Sequence, residues 1–512
     1  MKLFVEILNL KRSVLTIVLA LLTVSVAIML FGYHWGWIDD MYINQTINQT
    51  FYARPSLTTF YYSFIAEFLM FLSSIIKNVN WLLTFNLVII SCIFSIIWLI
   101  FLKPIYLINS KLMYFFSFCF SFVFLFESIL TATFTTISLL LLGVSSIAFL
   151  YFKKNNYIFL LFFVIAILIR FETSFLLVPI LGVYYLKEKK LKRSLILLFV
   201  FIVVLISIKI NVRSNGDLED FITYAPLITN SLDNHNSKDY QEMSEIDSAR
   251  SLAFFSWFQG DYESILNEKF RKELSVHPAF SIKTLKKALL KIKTEYKKAC
   301  CRYNENYTPY RNWLLKGIIG YFFLSIIAIY FFTIQDTNKS KYFNIVIWFT
   351  FTTTILTTIV FFKMEYRVFY PLLIVSYLVL FVLNKNKIDN SFLKKAIILM
   401  LFLIPFRFIE YSNTSFHLKL ESKNKEVFQK ELKTKFKNKM LLFDFLTISF
   451  NSPKVFDNTS FSNENNTLLI YGEVYSNFMT SHKNHLSKIC ISHEIVPFFK
   501  CLYQKKSEVI FV

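Results

Sequence analysis

Long apolar runs recur along the chain, and they restrict its fold more than any other feature. Several approach ~20 apolar residues, the length at which an α-helix crosses a ~30 Å hydrocarbon core. Hydrophobic residues make up 55% of the chain and aromatic residues 19%, a composition that soluble proteins rarely have. The sequence therefore predicts an all-α polytopic membrane bundle of about eleven transmembrane helices, at 13–32, 81–102, 112–130, 132–152, 157–170, 173–186, 194–212, 314–333, 342–362, 368–384 and 396–411.

The loops between these runs differ in charge, which predicts the topology. Basic loops are expected on the cytoplasmic side, and six fit there together, at 11–12, 103–111, 153–154, 187–193, 339–341 and 385–395. The N-terminus is then cytoplasmic and the C-terminus extracytoplasmic, in the cytoplasmic membrane if the source is a bacterium. These loops explain most of the net charge of +21. We expect membrane lipids as partners and no nucleic acid.

The region 157–186 is the weak point of this topology. Its two predicted crossings have about 14 residues each, which is short for a bilayer. Broken helices packed inside a bundle would accommodate them. A single crossing would instead place the basic segment 187–193 outside, which the charge rule disfavours.

The topology divides the chain into a transmembrane module, 1–411, and an extracytoplasmic C-terminal domain, 412–512. Two further outer segments, 33–80 and 213–313, lie within the module. The first is expected to hold helices at the membrane surface around 60–76, and the second an amphipathic basic helix over 281–299. The last domain is predicted as a small α/β fold, with a helix at 423–437 and strands within 440–450 and 467–475.

Cysteine and histidine give two alternatives outside the membrane. Cys92 and Cys119 fall in apolar helices and are expected to be packing residues. Outside, Cys490 and Cys501 are the pair best placed for a disulfide, and Cys300 and Cys301 are either free or joined to the tail. Zinc is the weaker alternative, because the nearby ligand types have no strong finger spacing: His482, His485, Cys490 and His493.

Charged residues interrupt the apolar runs at ends that the topology places on one outer side. Asp39 and Asp40 follow the first run directly, on a segment with Trp35 and Trp37. The others are Glu127, Arg170, Glu172, Glu365 and Arg367. Each feature alone could be a solvated loop or a local ion pair. Charge is costly at a membrane boundary unless it is hydrated or paired, so several on one side favour a common site.

This set of side chains suits chemistry on a lipid phosphate. One carboxylate of the acidic pair can take a proton from an acceptor hydroxyl, and the other can orient the acceptor or hold a divalent cation, Mg or Mn. Arginine matches phosphate oxygens through its planar fork. A fixed cation stabilises the charge that develops on a departing phosphate.

Three short motifs resemble the GT-C superfamily of integral-membrane glycosyltransferases. They are Ile38-Asp39-Asp40-Met41-Tyr42, Leu168-Ile169-Arg170-Phe171-Glu172-Thr173 and Glu365-Tyr366-Arg367-Val368-Phe369-Tyr370-Pro371-Leu372, the last like the family's Arg-then-Pro helix start. The resemblance covers about residues 10–411 in layout and only these motifs in residues. Such enzymes use polyprenyl-phosphate-linked sugars on the outer or lumenal side of a membrane.

The resemblance implies roles for individual residues. Asp39 or Asp40 would be the catalytic base or a metal-associated carboxylate, and Arg367 would hold the carrier phosphate. Glu127, Arg170 and Glu172 would shape the substrate site. Glu365 is grouped with them, although Met364-Glu365 stands where some members carry His-Glu. The acceptor would be a glycan, a lipid or a protein.

Two other classes of function stay open at this point. A transporter or flippase of a lipid-linked or small polar substrate would place charges near the bilayer midplane, on broken helices in paired halves. The charges here fall at the ends of runs and no inverted repeat is visible, which favours the enzyme. A non-catalytic assembly protein would make the acidic pair dispensable.

Overall fold

The computed structural model describes residues 2–33, 47, 63–76, 79–102, 109–130, 132–152, 157–171, 174–188, 191–213, 313–333, 338–361, 366–435, 440–444, 468–471 and 509–511. Helices dominate this part of the chain. They are α1 Lys2–Phe31, α2 Ser63–Ile75, α3 Trp81–Leu102, α4 Ser110–Phe120, α5 Glu127–Leu130, α6 Phe134–Tyr151, α7 Tyr157–Ile169, α8 Ser174–Glu188, α9 Leu191–Arg213, α10 Trp313–Thr333, α11 Asn338–Phe361, α12 Tyr366–Leu383 and α13 Asn390–Lys435.

The helical class predicted from the apolar runs is confirmed. Every run predicted as a span contains a helix. Among the described residues, four helices are long and apolar enough to cross a membrane, in α1, α3, α6 and α9. The total of eleven crossings stays a prediction.

The contacts divide the chain into two compact units. The larger unit comprises 1–36, 85–205 and 280–419, and the other comprises 37–84, 206–279 and 420–512. Each unit has its own packing. The charged residues discussed below that the structure describes all lie in the larger unit, the main unit hereafter.

Helix α6 is the centre of the main unit, because every one of its residues is buried. It packs against α7, α8 and α12. A Cβ atom added at Gly143 of α6 would lie 2.2 Å from Cγ2 of Val375 on α12. Only glycine allows these two helices to approach so closely, as small residues commonly do in membrane bundles.

The region 157–186 forms two helices rather than one. Helix α7 has 13 residues and α8 has 15, with Pro179 inside α8. At ~1.5 Å per residue, α7 is shorter than a hydrocarbon core. Ser138 Oγ of α6 donates to Ala166 O of α7 at 2.8 Å and to Arg170 O at 3.2 Å. The turn between α7 and α8 is therefore fixed onto α6.

Basic side chains gather at the C-terminal end of α6, which we call the basic end. Arg193 Nη1 donates to Phe152 O at 2.7 Å and also lies within hydrogen-bond distance of Phe149 O. Cations there favour the negative end of the helix dipole. Lys385, just after α12, lies 5.1 Å from the ring centre of Tyr151.

The helices of the main unit alternate in direction between this end and the other. The start of α13 lies beside the start of α4, since Asn109 N donates to the side chain of Asn390 at 3.1 Å. Near the end of α12, Asn384 and Asn344 exchange amide hydrogen bonds of 2.9 and 3.3 Å. The opposite end of the main unit therefore contains the starts of α6 and α12. It also contains the ends of α4–α5, of α7 and of the apolar part of α13.

The predicted boundary at 411–412 falls inside a continuous helix. Helix α13 runs for 46 residues, from an apolar first half into a polar second half. It thus contains both the predicted span at 396–411 and most of the helix predicted at 423–437. The change of composition does not end the helix, because no Gly or Pro follows Pro405 within it.

The second unit contains α2 and a parallel three-stranded sheet. Its strands are β1 Met440–Asp444, β2 Leu468–Tyr471 and β3 Val509–Phe511, in the order β2-β1-β3. Leu442 pairs with Leu468 on one side and with Phe511 on the other. Strands β1 and β2 lie within the two segments predicted to hold strands. The rest of a C-terminal α/β domain stays a prediction, as do the helix at 281–299 and the sites at Cys300, Cys301, Cys490 and Cys501, which lie outside the described residues.

Candidate functional site

The helix predicted over 112–130 is interrupted just before Glu127. Helix α4 passes into a π-helical turn, Ser121–Leu125, in which Phe126 N donates to Ser121 O at 3.0 Å. The α-helical pattern resumes only in the short α5. A π-helical turn shifts the backbone hydrogen bonds by one residue and often marks a functional place. Glu127 is the second residue after it and the first of α5.

Helix α13 supplies the donors that the interrupted helix needs. Arg407 Nε donates to Val123 O at 3.0 Å. Tyr411 Oη donates to Phe122 O at 3.0 Å and also lies within hydrogen-bond distance of Val123 O, at 3.3 Å. Carbonyl groups that an apolar environment would leave unsatisfied are thereby bonded.

Arg407 also joins two carboxylates. Its Nη2 donates to Glu127 Oε2 at 3.2 Å, and its Nη1 donates to Glu410 Oε2. The side chain of Glu127 is only 4% exposed and that of Arg407 is 14% exposed. Its guanidinium lies 4.8 Å from the ring centre of Tyr411. We call Glu127, Arg407, Glu410 and Tyr411 the α13 cluster.

An aromatic wall shields the α13 cluster. The ring of Phe31, at the end of α1, lies 5.4 Å from Tyr411 and 6.3 Å from Phe126 in edge-on geometry. Tyr370 of α12, buried at 4% exposure, interacts electrostatically with Arg407 and Glu127. Such a wall keeps water from the ion pair, which strengthens the attraction between its charges.

A second group of polar residues surrounds the start of α6. Thr133 caps the helix by accepting from Thr136 N at 3.1 Å. Arg170, at the end of α7, donates from Nη1 to Thr135 Oγ1 and stacks over Phe134 at 4.8 Å. The backbone of Arg367 accepts from Thr136 Oγ1 at 3.3 Å.

Consecutive threonines therefore bring together two arginines that are far apart in sequence. We call Thr135, Thr136, Arg170 and Arg367 the α6 cluster. Its Arg367 Nη1 atom is buried. Because the positive end of the dipole of α6 also lies here, the cluster favours an anion.

Helix α12 connects the two clusters. Arg367 and Tyr370 are three residues apart on it, which is about one turn. Together the clusters hold three arginines and two glutamates, an excess of one positive charge. Arg407 is held by protein groups on each side, whereas the α6 cluster as defined contains two arginines beside a helix N-terminus. The α6 cluster is therefore the better place for an anionic ligand.

Three of the residues predicted for the site are described, and contacts at the start of α6 link two of them, Arg170 and Arg367. Glu127, Arg170 and Arg367 lie at one end of the main unit, as the topology required. Asp39, Asp40, Glu172 and Glu365 lie outside the described residues, so their proximity stays a prediction. Arg170 donates to Thr135 on α6, and the alternative of a local pair with Glu172 falls outside the described residues.

Sequence reasoning missed Arg407, Tyr411 and the two threonines. Arg407 and Glu410 are charged residues close to the end of the predicted span 396–411, and charge in such a place is expensive. The sequence therefore does contain a signal for Arg407 and Glu410. The threonines carry no comparable signal, because threonine is common in apolar helices.

The prediction of a bound Mg or Mn ion can be compared only with the residues that the structure describes. Within the described residues, no three His, Cys, Asp or Glu side chains come close enough to hold a metal. Asp39 and Asp40 are not among these residues. The cation therefore remains a prediction that concerns the acidic pair.

The α13 cluster predicts a large difference between two substitutions. Arg407→Met leaves Glu127 and Glu410 facing each other without a cation and removes a donor from Val123 O. We expect a loss of about 3–5 kcal/mol in stability, the usual cost of breaking a buried ion pair. Glu127→Gln should cost less, about 1–3 kcal/mol, because Arg407 keeps Glu410 and the amide can still accept. Thermal unfolding in lipid nanodiscs measures both.

Arg12→Met is a matched control, because Arg12 is an exposed arginine of α1. It should unfold like the natural chain. An Arg407→Met protein as stable as the Arg12→Met protein would contradict a stabilising role for the cluster.

Comparison of the chain with family models, with curated proteins and with solved structures gives no match.

Proposed function

We propose that this chain is a membrane glycosyltransferase. It moves a sugar from a polyprenyl-phosphate carrier to a glycan, lipid or protein acceptor on the extracytoplasmic face. Synthesis of a cell-envelope polysaccharide is the setting that this reaction would serve. The proposal combines the motif resemblance with the geometry of the α6 cluster.

One observation carries the proposal: the side chain of Arg170 and the backbone carbonyl of Arg367 both bond to threonines at the start of α6. Both contact the Thr135-Thr136 pair, at the positive end of a fully buried helix. Two arginines at a helix N-terminus suit the oxygens of a phosphate, which they can bind in a bidentate manner. A phosphate on a lipid is the anion that reaches such a place at the end of a membrane bundle.

The reaction then follows from the groups available. The acceptor oxygen attacks the anomeric carbon, and the bond from that carbon to the carrier phosphate oxygen breaks. The phosphate leaves with the bonding electron pair, and Arg367 and Arg170 stabilise its added negative charge. Asp39 or Asp40 takes the proton of the acceptor hydroxyl. A divalent cation on the other carboxylate would orient the acceptor.

Glu127 has a different role in this proposal. Its carboxylate is buried and held by Arg407, so it is poorly suited to collecting a proton from an acceptor. It shapes the site by fixing the end of the interrupted helix beside Tyr370. Glu172 and Glu365, next in sequence to the site, are proposed to complete its substrate-binding wall.

The charge distribution of the bundle supports the proposed side of the membrane. Lys385 and Arg193 lie at the C-terminal end of α6, opposite Arg170 and Arg367. The positive-inside rule puts the basic end in the cytoplasm. The α6 cluster is then extracytoplasmic, where lipid-linked donors would be used.

The test is transfer by the purified chain in liposomes. Radiolabelled polyprenyl-phosphate sugars of several kinds are supplied with an extract of membrane glycans and lipids as acceptors. We expect one donor to release polyprenyl phosphate while its label appears in the acceptor fraction. Absence of release from every donor, with the protein folded, would count against the transferase.

A transporter or flippase is the second candidate, and the buried α13 cluster favours it. Ion pairs inside helical bundles and short helices such as α7 are typical of transport pathways. The same liposomes distinguish the two. A flippase moves the intact lipid-linked sugar between leaflets without releasing polyprenyl phosphate, whereas a transferase cleaves it.

A further inference from the structure

Ser174 differs from the other buried serines near the α6 cluster. It is the first residue of α8, four positions after Arg170, and is 2% exposed. Its backbone N donates to Phe171 O at 3.0 Å. In the part of the chain that the structure describes, its hydroxyl forms no hydrogen bond.

Most buried serines inside the described helices are bonded in the usual way, and Ser146 in the second half of α6 is an exception. Ser117 Oγ donates to Met113 O at 2.9 Å, and Ser376 Oγ donates to Leu372 O at 2.8 Å. Each uses a carbonyl of the preceding turn, as helical serines do. Ser174 has no preceding turn in its own helix. A buried hydroxyl without a partner is unfavourable, so one in a native fold calls for an explanation.

The surroundings of Ser174 favour an anion as the missing partner. The first turn of α8 contains no acidic residue, and the positive end of its dipole attracts an anion. Helix α8 packs on α6 and on α12, the helices that carry Thr135 and Arg367. The turn before it is held to α6 through Ser138. Ser174 therefore lies at the same end of the main unit as the starts of α6 and α12, four positions after Arg170.

We propose that Ser174 is a further substrate-binding residue, whose hydroxyl donates a hydrogen bond to a phosphate oxygen of the lipid carrier. This inference depends on the proposed function and adds a group that the sequence motifs do not include. The carrier phosphate satisfies the hydroxyl when it binds. Specificity for a phosphate follows, because a neutral lipid alcohol offers fewer acceptor oxygens.

The test is Ser174→Ala, with polyprenyl phosphate as the ligand in nanodiscs. Loss of a hydrogen bond to a charged group weakens binding by about 10- to 100-fold. The melting temperature should not fall, because no hydrogen bond within the protein is lost. Binding of neutral polyprenol should be the same in both proteins, and inorganic phosphate in solution should not displace the lipid.

Ser117→Ala is the matched control, a buried serine in the second half of α4 whose hydroxyl is bonded within its helix. It should bind polyprenyl phosphate normally. Equal binding by the natural chain and Ser174→Ala would overturn the inference and leave the proposed function intact. A fall in melting temperature together with weaker binding would also overturn it, since the hydroxyl would then be structural. If the natural chain binds no polyprenyl phosphate, the proposed function itself fails.

Discussion

Replacing Arg367 by Gln is expected to lower the rate of sugar transfer about 10²- to 10³-fold, the usual effect of removing one stabiliser of a developing anion. The backbone carbonyl of Arg367, which accepts from Thr136, is unchanged by the substitution. The start of α12 should therefore keep its place on α6. Arg367→Lys restores the charge without the planar fork and should recover part of the rate. The measurement is kcat for release of polyprenyl phosphate, with Kd for polyprenyl phosphate determined separately.

Arg193→Gln is the control for a general effect of losing an arginine. Arg193 binds backbone carbonyls at the basic end of the same helix. Its loss should lower the melting temperature and leave kcat near the natural value. If Arg193→Gln and Arg367→Gln reduced kcat equally, a phosphate-binding role for Arg367 would be untenable.

The sequence predicts the helices of this protein well, because each apolar run must form helix to satisfy its backbone in a membrane. It also predicts that Glu127, Arg170 and Arg367 share one end of the bundle. That prediction was based on the sign of the charge in each loop. The structure places the basic residues Lys385 and Arg193 at the end of the bundle opposite Arg170 and Arg367. The two groups of charge thus lie at opposite ends of the bundle, and the side of the membrane on which each end lies stays a prediction.

The contacts within the site are less predictable. Arg170 donates to Thr135, which lies on another helix. The π-helical turn at Ser121–Leu125 likewise depends on Arg407 and Tyr411, almost three hundred residues later. Local sequence does not encode such partners, because they are set by tertiary packing.

Helix α13 shows that a change of composition need not end a helix. The fall in hydropathy after about residue 411 suggested an end of the last span and the start of a new domain. Leaving a membrane changes which side chains are favourable, but it does not stop a helix. The backbone continues to Lys435 because no residue in that stretch breaks it.

The largest expected effect concerns the acidic pair after the first helix. We expect that Asp39→Asn or Asp40→Asn abolishes transfer, with a loss of about 10²- to 10⁴-fold for a general base. Asparagine keeps the size of the side chain but cannot take a proton, so folding should be preserved. Transfer from the radiolabelled lipid-linked sugar and the melting temperature are measured for each variant.

The two roles proposed for the pair give different responses to metal. If one carboxylate holds Mg or Mn, chelation should reproduce its loss, and a higher metal concentration should partly restore the corresponding asparagine variant. The variant that removes the base should not respond to metal.

Asp389→Asn is the control, since Asp389 accepts from Phe392 N at 2.7 Å at the basic end. Because an amide can also accept there, this variant should transfer sugar normally. Rates of transfer equal to that of the natural chain in both Asp39→Asn and Asp40→Asn would eliminate the carboxylates from the chemistry. Arg170 and Arg367 would then form a binding site without a base, which is what a flippase would need.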